Sequence, residues 1–344
     1  ASVSGVMGYS YVDIDHYELD LALLLAHIGD QHWLAADTYN DIATVCIDVR
    51  DHGKALGYAL KSLALNKDMY GETHLKTATS HHNIAECYRE LFNVNQYYFH
   101  SRKSLRITQQ IPDNQHPLLA AIYSSSSLNF LNNGHLDSAL YYGKKSLSIR
   151  QEKLGNSHFL TASSYRRVGQ CYLRMQEYSK AIEAFRKSLE LWLSAMGKTH
   201  PRTSLAHTQL ALAYQRINDW EDCFSHFQQA LSSSCKTFKD DDINRNPALD
   251  DIAFPAEVAT ALRYKARALE QHATRNEVDT TVLSTAFKTY LSATGLLAKI
   301  RSEYSSDINL VENDSLELAS IAGALRTAKI LMKKTANPQF LRDG

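Results

Sequence analysis

The sequence predicts an all-α protein folded as a right-handed α-α superhelix, and three observations lead to this prediction. The 344 residues include only 14 glycines and 6 prolines, below the average usage of about 7% and 5%. A 42-residue unit recurs five times without an insertion. Within each unit, two segments carry apolar and small residues at the i, i+3, i+4, i+7 spacing of an amphipathic helix. Helix pairs repeated at a fixed period stack on their neighbours and build a superhelical array.

Composition and charge exclude several classes of protein. The chain is 44% hydrophobic and 22% charged, which is ordinary for a globular protein and excludes wholesale disorder. Lys and Arg together number 37, as do Asp and Glu, so the formal net charge is zero. Nucleic-acid and membrane-surface binders depend on excess positive charge, and residues 1–12 lack the form of a signal peptide. We therefore expect a cytoplasmic protein with no nucleic-acid or membrane partner.

Five histidines define the frame of the repeat, because each follows the last by 42 residues. A small residue stands eleven positions after each of them, and a leucine stands thirty-one positions after each. Small residues are expected where two helices approach closely, and large residues fill the adjoining space. The five histidines are His32, His74, His116, His158 and His200.

This frame divides the chain into four predicted segments. Residues 13–28 are in register with the second helix of a repeat, so we interpret them as a partial repeat without its first helix. The chain thus begins either with a terminal cap or inside a longer array, and we favour the longer array. The segments are a tail and leading helix at 1–28, five repeats at 29–239, a polar loop at 240–254 and a C-terminal helical extension at 255–344.

The fourth repeat shows the pattern most fully, with helices predicted over 161–173 and 178–192. Its small and aromatic positions resemble those of the tetratricopeptide repeat, whose usual period is 34 residues. The longer period and the Gly-x-x-His-Pro junction at 197–201 resemble the variant found in kinesin light chains and in many bacterial regulatory proteins. The resemblance covers 29–239 and implies a binding module for proteins or peptides. The pattern residues are Gly169, Tyr172, Ala181, Phe185 and Ser188.

Three further helices are predicted after the repeats, over 255–273, 279–304 and 312–335. The segment 286–304 resembles the region that follows the repeats in CHAT-domain proteins, which are caspase-like proteases fused to tetratricopeptide arrays. The resemblance implies that the chain is the regulatory or sensor part of a larger protease, whose catalytic domain would follow in the same polypeptide. The matching positions are Tyr290, Ala293, Ile300, Arg301 and Tyr304.

The histidines and cysteines favour a structural role over a metal site. Histidines one repeat apart cannot share a metal ion, and each stands at a helix entrance, where a ring nitrogen can pair with an open backbone group. The cysteines never form a CxxC pair, so we expect them to be buried as small hydrophobic residues. They are Cys46, Cys87, Cys171, Cys223 and Cys235.

No pattern in the chain predicts catalysis. Asp240, Asp242 and Asn244 occupy the first, third and fifth places of a calcium loop, but Arg245 replaces the glycine that the loop requires. We therefore expect a solvated acidic loop. Phosphate-binding, dinucleotide-binding and nucleophile-elbow motifs are absent. The sequence predicts no catalytic residue, no cofactor, no metal and no enzyme activity for this chain.

The remaining candidate site is a groove for a protein or an extended peptide. In a tetratricopeptide superhelix the first helix of each repeat lines the concave face. Counting from the small residue of each repeat gives the side chains expected to face this groove. They are Asn40, Asp48, His82, Glu86, Glu90, Leu128, Asn132, Arg166, Gln170, Arg174, Thr208 and Arg216.

The charged residues of this groove predict ends of opposite charge. Arg174 and Arg216 hold equivalent positions in neighbouring repeats, with Arg166 beside them, and guanidinium groups bind carboxylates through paired hydrogen bonds. Asp48 and Glu90 favour a basic ligand segment at the other end. Two functions stay open: the regulatory part of a CHAT-type protease, or a free-standing scaffold or adaptor of the kinesin-light-chain type.

Overall fold

The computed structural model describes residues 33–48, 51–111, 117–275, 278–303 and 310–335, with scattered positions between 16 and 27. The all-α prediction is confirmed, because the described residues form α-helices and their only β pairing is an isolated bridge between Cys235 and Ile252. The helices are α1 Trp33–Asp48, α2 His52–Tyr70, α3 Leu75–Glu90, α4 Val94–Gln109, α5 Pro117–Asn132, α6 Leu136–Leu154, α7 Phe159–Arg174, α8 Tyr178–Met196, α9 Pro201–Ile217, α10 Trp220–Ser233, α11 Pro255–Ala273, α12 Thr280–Glu303 and α13 Leu310–Thr335.

The chain divides into two compact units, residues 1–175 and 176–344. This division falls inside the predicted repeat region 29–239, so the predicted boundaries are not those of the compact units and stay predictions. In the first unit, the two helices of a repeat pack on each other, as α1 does on α2 and α3 on α4. The next repeat then packs on the preceding second helix. None of the helices in the described part of the chain has the length and apolar character needed to cross a bilayer.

Small buried residues allow this close packing of helices. In the first unit, Ala43, Ala85 and Ser127 occupy the position eleven residues after the repeat histidine and are at most 1% exposed. In the same unit, the Ser127 hydroxyl donates to the Ala139 carbonyl oxygen of the paired helix at 2.6 Å. In the second unit, Ala211 occupies the same position, and both it and Cys223 of the paired helix have no exposed surface.

The first helices of three repeats begin with a capping histidine. The Nδ1 atoms of His74, His158 and His200 accept hydrogen bonds from the backbone N–H groups two residues later, at 3.1–3.2 Å. These bonds confirm the structural role predicted for three of the histidines, whereas His32 and His116 lie outside the described residues. The preceding helices end at Gly71, Gly155 and Gly197, whose φ angles of +78° to +89° favour glycine.

The helices α11 and α12 closely match the predicted segments, since 255–273 is observed as predicted and α12 begins one residue late. The third predicted helix starts earlier, at Leu310. In the second unit, α11 packs on α10 and α12, and α12 packs on α13. The ring of Tyr290, which is 2% exposed, fills the space between α12 and α13.

Lys265 of α11 ties the predicted polar loop to the helices. Its side chain has no exposed surface, and its Nζ donates to Gln228 Oε1 at 2.8 Å, to the Arg245 carbonyl oxygen at 2.8 Å and to Asn246 Oδ1 at 3.0 Å. Burial lowers the pKa of Lys265 to about 7, against the opposing charges of Asp242 and Asp240. All three partners are acceptors, so the arrangement fits the protonated amine, which has three donors.

The loop therefore forms specific hydrogen bonds with the helices, whereas the sequence predicts a solvated acidic loop. Gln228 Nε2 also donates to the carbonyl oxygens of Asp240 and Asp242, at 2.9 and 2.6 Å. The carboxylate of Asp251 accepts from the backbone N–H groups of Thr237 and Phe238. The backbone carbonyl oxygens of Asp240, Asp242 and Arg245 thus accept hydrogen bonds from a buried amide and a buried ammonium group.

Two buried histidine pairs join the helices within a repeat. His81 and His100 approach to 2.8 Å between their Nδ1 atoms, and His207 and His226 approach to 3.1 Å. Burial lowers the pKa of His81 to about 4 and that of His207 to about 3. Other repeats hold stacked tyrosines at the same positions, with ring centroids 5.7–5.9 Å apart. These tyrosine pairs are Tyr39–Tyr58 and Tyr123–Tyr142.

All five cysteines are buried and form no disulfide bond, as the sequence predicts. Burial raises the pKa of Cys46 to about 11 and that of Cys87, Cys223 and Cys235 to about 12. Since the thiolate is the reactive form, these side chains are packing residues.

We expect Gly323→Ala to lower the free energy of unfolding by about 1–3 kcal/mol, because a Cβ at this position would overpack the core. That Cβ would lie 2.3 Å from Cζ of Tyr290. Gly295→Ala is the matched control on α12, since its Cβ would meet nothing within 4 Å and alanine favours the helix. Chemical denaturation measures both variants, and equal stability of the two would contradict the packing described for Tyr290.

Candidate functional site

The first helices of the repeats form a continuous face in the first unit, made by α1, α3, α5 and α7, which we call the first-helix face. These helices contact one another in that order, and side-chain hydrogen bonds cross between them. Asn83 Nδ2 donates to Asn40 Oδ1 at 2.9 Å, which joins α3 to α1. Ser125 Oγ donates to Glu86 Oε1 at 2.8 Å, which joins α5 to α3. The predicted residues Asn40 and Glu86 therefore lie at the helix contacts of this face.

A charged cluster surrounds Glu86 at the centre of the first-helix face. Arg89 donates to Glu86 Oε2 from Nε at 3.1 Å and from Nη2 at 3.0 Å, and it also pairs with Glu90. Burial would raise the pKa of Glu86, but the interactions with His82, Arg89 and Ser125 together outweigh it, so the pKa is lowered. Burial lowers the pKa of His82. Two carboxylates of this cluster, those of Glu86 and Glu90, thus share the single guanidinium group of Arg89.

The remaining predicted residues of the first unit differ in exposure. Leu128, Arg166 and Gln170 are partly buried, whereas Asn132 and Arg174 are exposed at the ends of α5 and α7. Asp48 is the last residue of α1, and its side chain lies outside the described residues.

Sequence reasoning missed Arg167 and Tyr97. Arg167 Nη1 donates to Gln170 Oε1 at 2.8 Å, while its buried Nε has no hydrogen-bond partner. Burial lowers the pKa of Arg167, and the charges of Cys171 and Glu86 oppose this. The hydroxyl of Tyr97 is also buried without a partner. Tyr97 did give a signal, because it stands where three other repeats have alanine and the fifth has cysteine.

In the second unit, the structure differs from the prediction that Thr208 faces the groove. Thr208 is only 2% exposed, and its hydroxyl donates to the Ser204 carbonyl oxygen of its own helix at 3.0 Å. The helix α9 packs against α8, α10 and α11, which leaves less of its surface open than the repeat pattern alone suggests. Thr208 is therefore not a groove residue in this structure.

Arg216 is exposed in the last turn of α9. It belongs to the second unit and Arg174 to the first, so the pairing of these two guanidinium groups stays a prediction. Among the described residues, no group of three or more His, Cys, Asp or Glu side chains comes together as a metal site.

A family model described as the tetratricopeptide repeat matches residues 34–95 and 160–236. A comparison with curated proteins found no match.

Several solved structures have a similar fold. BtubC (BKLC) from P. vanneervenii aligns with a TM-score of 0.52 and 13% identity, over 73% of this chain and 90% of that chain. A Rap protein complexed with Competence and Sporulation Factor aligns with a TM-score of 0.50 and 13% identity, over 94% of this chain and 87% of that chain.

Kinesin light chain TPR-like repeats from Podosopora anserina align with a TM-score of 0.48 and 16% identity, over 59% of this chain and 97% of that chain. At such low identities the similarity concerns the fold. Residues 34–95 and 160–236 match the repeat model, and the described helices have the α-solenoid fold of the two structures that align with TM-scores of 0.52 and 0.50.

Proposed function

We propose that this chain is a non-catalytic protein-interaction module that binds an extended peptide on the first-helix face. The observation that carries the proposal is the row of polar side chains linked from α1 to α5 by Asn40, Asn83, Glu86 and Ser125. Amide, hydroxyl and carboxylate groups held in fixed positions can pair with the N–H and C=O groups of a peptide backbone. The Rap protein of similar fold, solved with Competence and Sporulation Factor, gives further support.

The charges along this face suggest the direction of the ligand. The cluster around Glu86 on α3 holds two carboxylates against one guanidinium group, and Arg166, Arg167 and Arg174 lie on α7. A peptide with a basic segment over α3 and an acidic segment over α7 would complement both ends. Electrostatic complementarity of this kind fixes the register of a ligand.

We expect Glu86→Gln combined with Glu90→Gln to weaken peptide binding about tenfold or more, because hydrogen bonds to charged groups contribute about 1.5–3 kcal/mol. Peptides selected from a random display library on the full chain would serve as probes, with affinity measured by fluorescence anisotropy. The matched control is Glu183→Gln on α8, an exposed glutamate that pairs only with a lysine of its own helix in the described residues. If the selected peptides bind the double variant as tightly as the unaltered chain, their site is elsewhere.

This binding function fits both a cytoplasmic scaffold and the regulatory region of a CHAT-type protease. Tyr290, Ala293 and Ile300, which carry the CHAT resemblance, are 0–5% exposed, so packing alone accounts for their residue types. Sequencing the gene beyond this segment would separate the two functions, because the protease requires a downstream His and Cys.

A further inference from the structure

A basic cleft lies between α11, α12 and α13 of the second unit, apart from the first-helix face. Its volume is about 520 Å³, and three arginines line it against a single carboxylate. The arginines are Arg263, Arg267 and Arg326, and the carboxylate is Glu270. The lining therefore carries an excess of two positive charges, and we call it the arginine cleft.

Glu270 neutralises only one of the three arginines. Arg326 donates from Nε to Glu270 Oε1 at 3.3 Å and from a terminal nitrogen to Oε2 at 3.4 Å. The hydroxyl of Tyr290 donates to the same Oε2 at 2.8 Å. Both oxygens of Glu270 are thus engaged, and Arg326 is held by them.

Arg263 and Arg267 stand one turn apart on α11, and no carboxylate of the described residues pairs with either. The guanidinium of Arg263 lies 4.1 Å from the ring centroid of Tyr264, and its Nε is buried without a hydrogen-bond partner. Two like charges one turn apart repel each other, and a buried unpaired donor is unfavourable. An anion in the cleft would reduce the repulsion between the two arginines and could accept a hydrogen bond from the unpaired donor.

We propose that the arginine cleft binds the carboxylates of an acidic, leucine-containing peptide segment from a partner protein. Guanidinium groups form paired hydrogen bonds with carboxylates. Ala319 and Ala322 of α13 line the cleft, and their short side chains leave room for a peptide. On the same helix, Leu318 and Leu325 directly precede the lining residues Ala319 and Arg326 in sequence and are 67% and 49% exposed, so α13 offers leucines for apolar contact.

Binding of two labelled peptides to the full chain tests this proposal. The probe is Ac-Leu-Glu-Glu-Leu-Leu-Glu-Glu-Leu-amide, and its control has Gln in place of every Glu. We expect the Glu peptide to bind more tightly, with affinity falling as salt increases because the charges are screened. Arg263→Gln combined with Arg267→Gln should lower its affinity about tenfold or more, while Lys288→Gln, an exposed charge on α12, should leave it within about twofold.

We expect Glu270→Gln to change the affinity for the Glu peptide in the opposite direction. It removes the negative charge of the cleft and frees Arg326, while the glutamine oxygen can still accept from Tyr290, so the affinity should rise. Thermal unfolding of each variant shows whether it is folded.

Three results would overturn the proposal. They are equal binding of the Glu and Gln peptides, unchanged binding by the folded double-arginine variant, and displacement of the Glu peptide by inorganic phosphate at concentrations equal to the peptide's own dissociation constant. The last would identify a small-anion site in place of a peptide site.

Discussion

Lowering the pH from about 7 to about 4.5 is expected to reduce the free energy of unfolding by on the order of 3 kcal/mol for each buried histidine pair. The pKa values of His81, about 4, and His207, about 3, are below the ordinary 6.5. The unfolded chain therefore binds protons first as the pH falls. The stability that these pairs contribute is complete above about pH 6.5 and is lost as the pH falls toward the folded values. Urea denaturation at a series of pH values measures this loss.

Burial is the largest cause of the lowered pKa values in both pairs, and the nearby charges act in both directions. His100, Lys67 and Lys103 oppose protonation of His81, whereas Glu72 favours it. Asp222 and Arg186 act in opposite directions on His226, which burial dominates.

The chain itself supplies the control for this prediction, because other repeats place stacked tyrosines at the same positions. We expect the four-residue variant with His81→Tyr, His100→Tyr, His207→Tyr and His226→Tyr to keep most of its stability down to about pH 5, above the range in which carboxylates titrate. An equal loss in the variant and the unaltered chain would show that other groups cause the acid sensitivity.

Lys265→Met is expected to lower the free energy of unfolding by about 3 kcal/mol or more. Methionine keeps the length of the side chain, but it leaves three acceptors without their donor, each of which costs about 1–3 kcal/mol when buried and unpaired. The three acceptors belong to Gln228, Arg245 and Asn246. Hydrogen exchange should show the largest loss of protection in the loop 240–254 and in the adjoining α10 and α11.

The matched control is Lys288→Met on α12, an exposed lysine for which a change within about 0.5 kcal/mol is expected. Equal stability of the two methionine variants would mean that the ammonium group of Lys265 is not what holds the loop.

The fold could be predicted from the sequence because its determinants are local and periodic. The small residues that recur in each repeat specify where helices approach, and a glycine followed three positions later by a histidine specifies where one helix ends and the next begins. Gly71 and His74 illustrate this, since the positive φ angle and the Nδ1 cap each act within a few residues.

The side-chain contacts could not be predicted in the same way, because they join residues far apart in sequence. Lys265 meets partners 19 to 37 residues away, and nothing in the repeat frame points to that loop. The frame also marked Thr208 as open to a ligand, although the packing of α9 buries it. Of the polar row on the first-helix face, Asn40 and Glu86 follow from the frame, whereas Asn83 and Ser125 required the structure.

The five buried thiols can report local opening of the structure. They lie in α1, α3, α7 and α10 and just after α10, so they sample both compact units. A thiol reagent can modify each cysteine only when the structure around it opens, because the thiolate is the reactive form and burial suppresses it. Labelling rates followed by mass spectrometry would therefore give an opening free energy for individual repeats without any introduced probe.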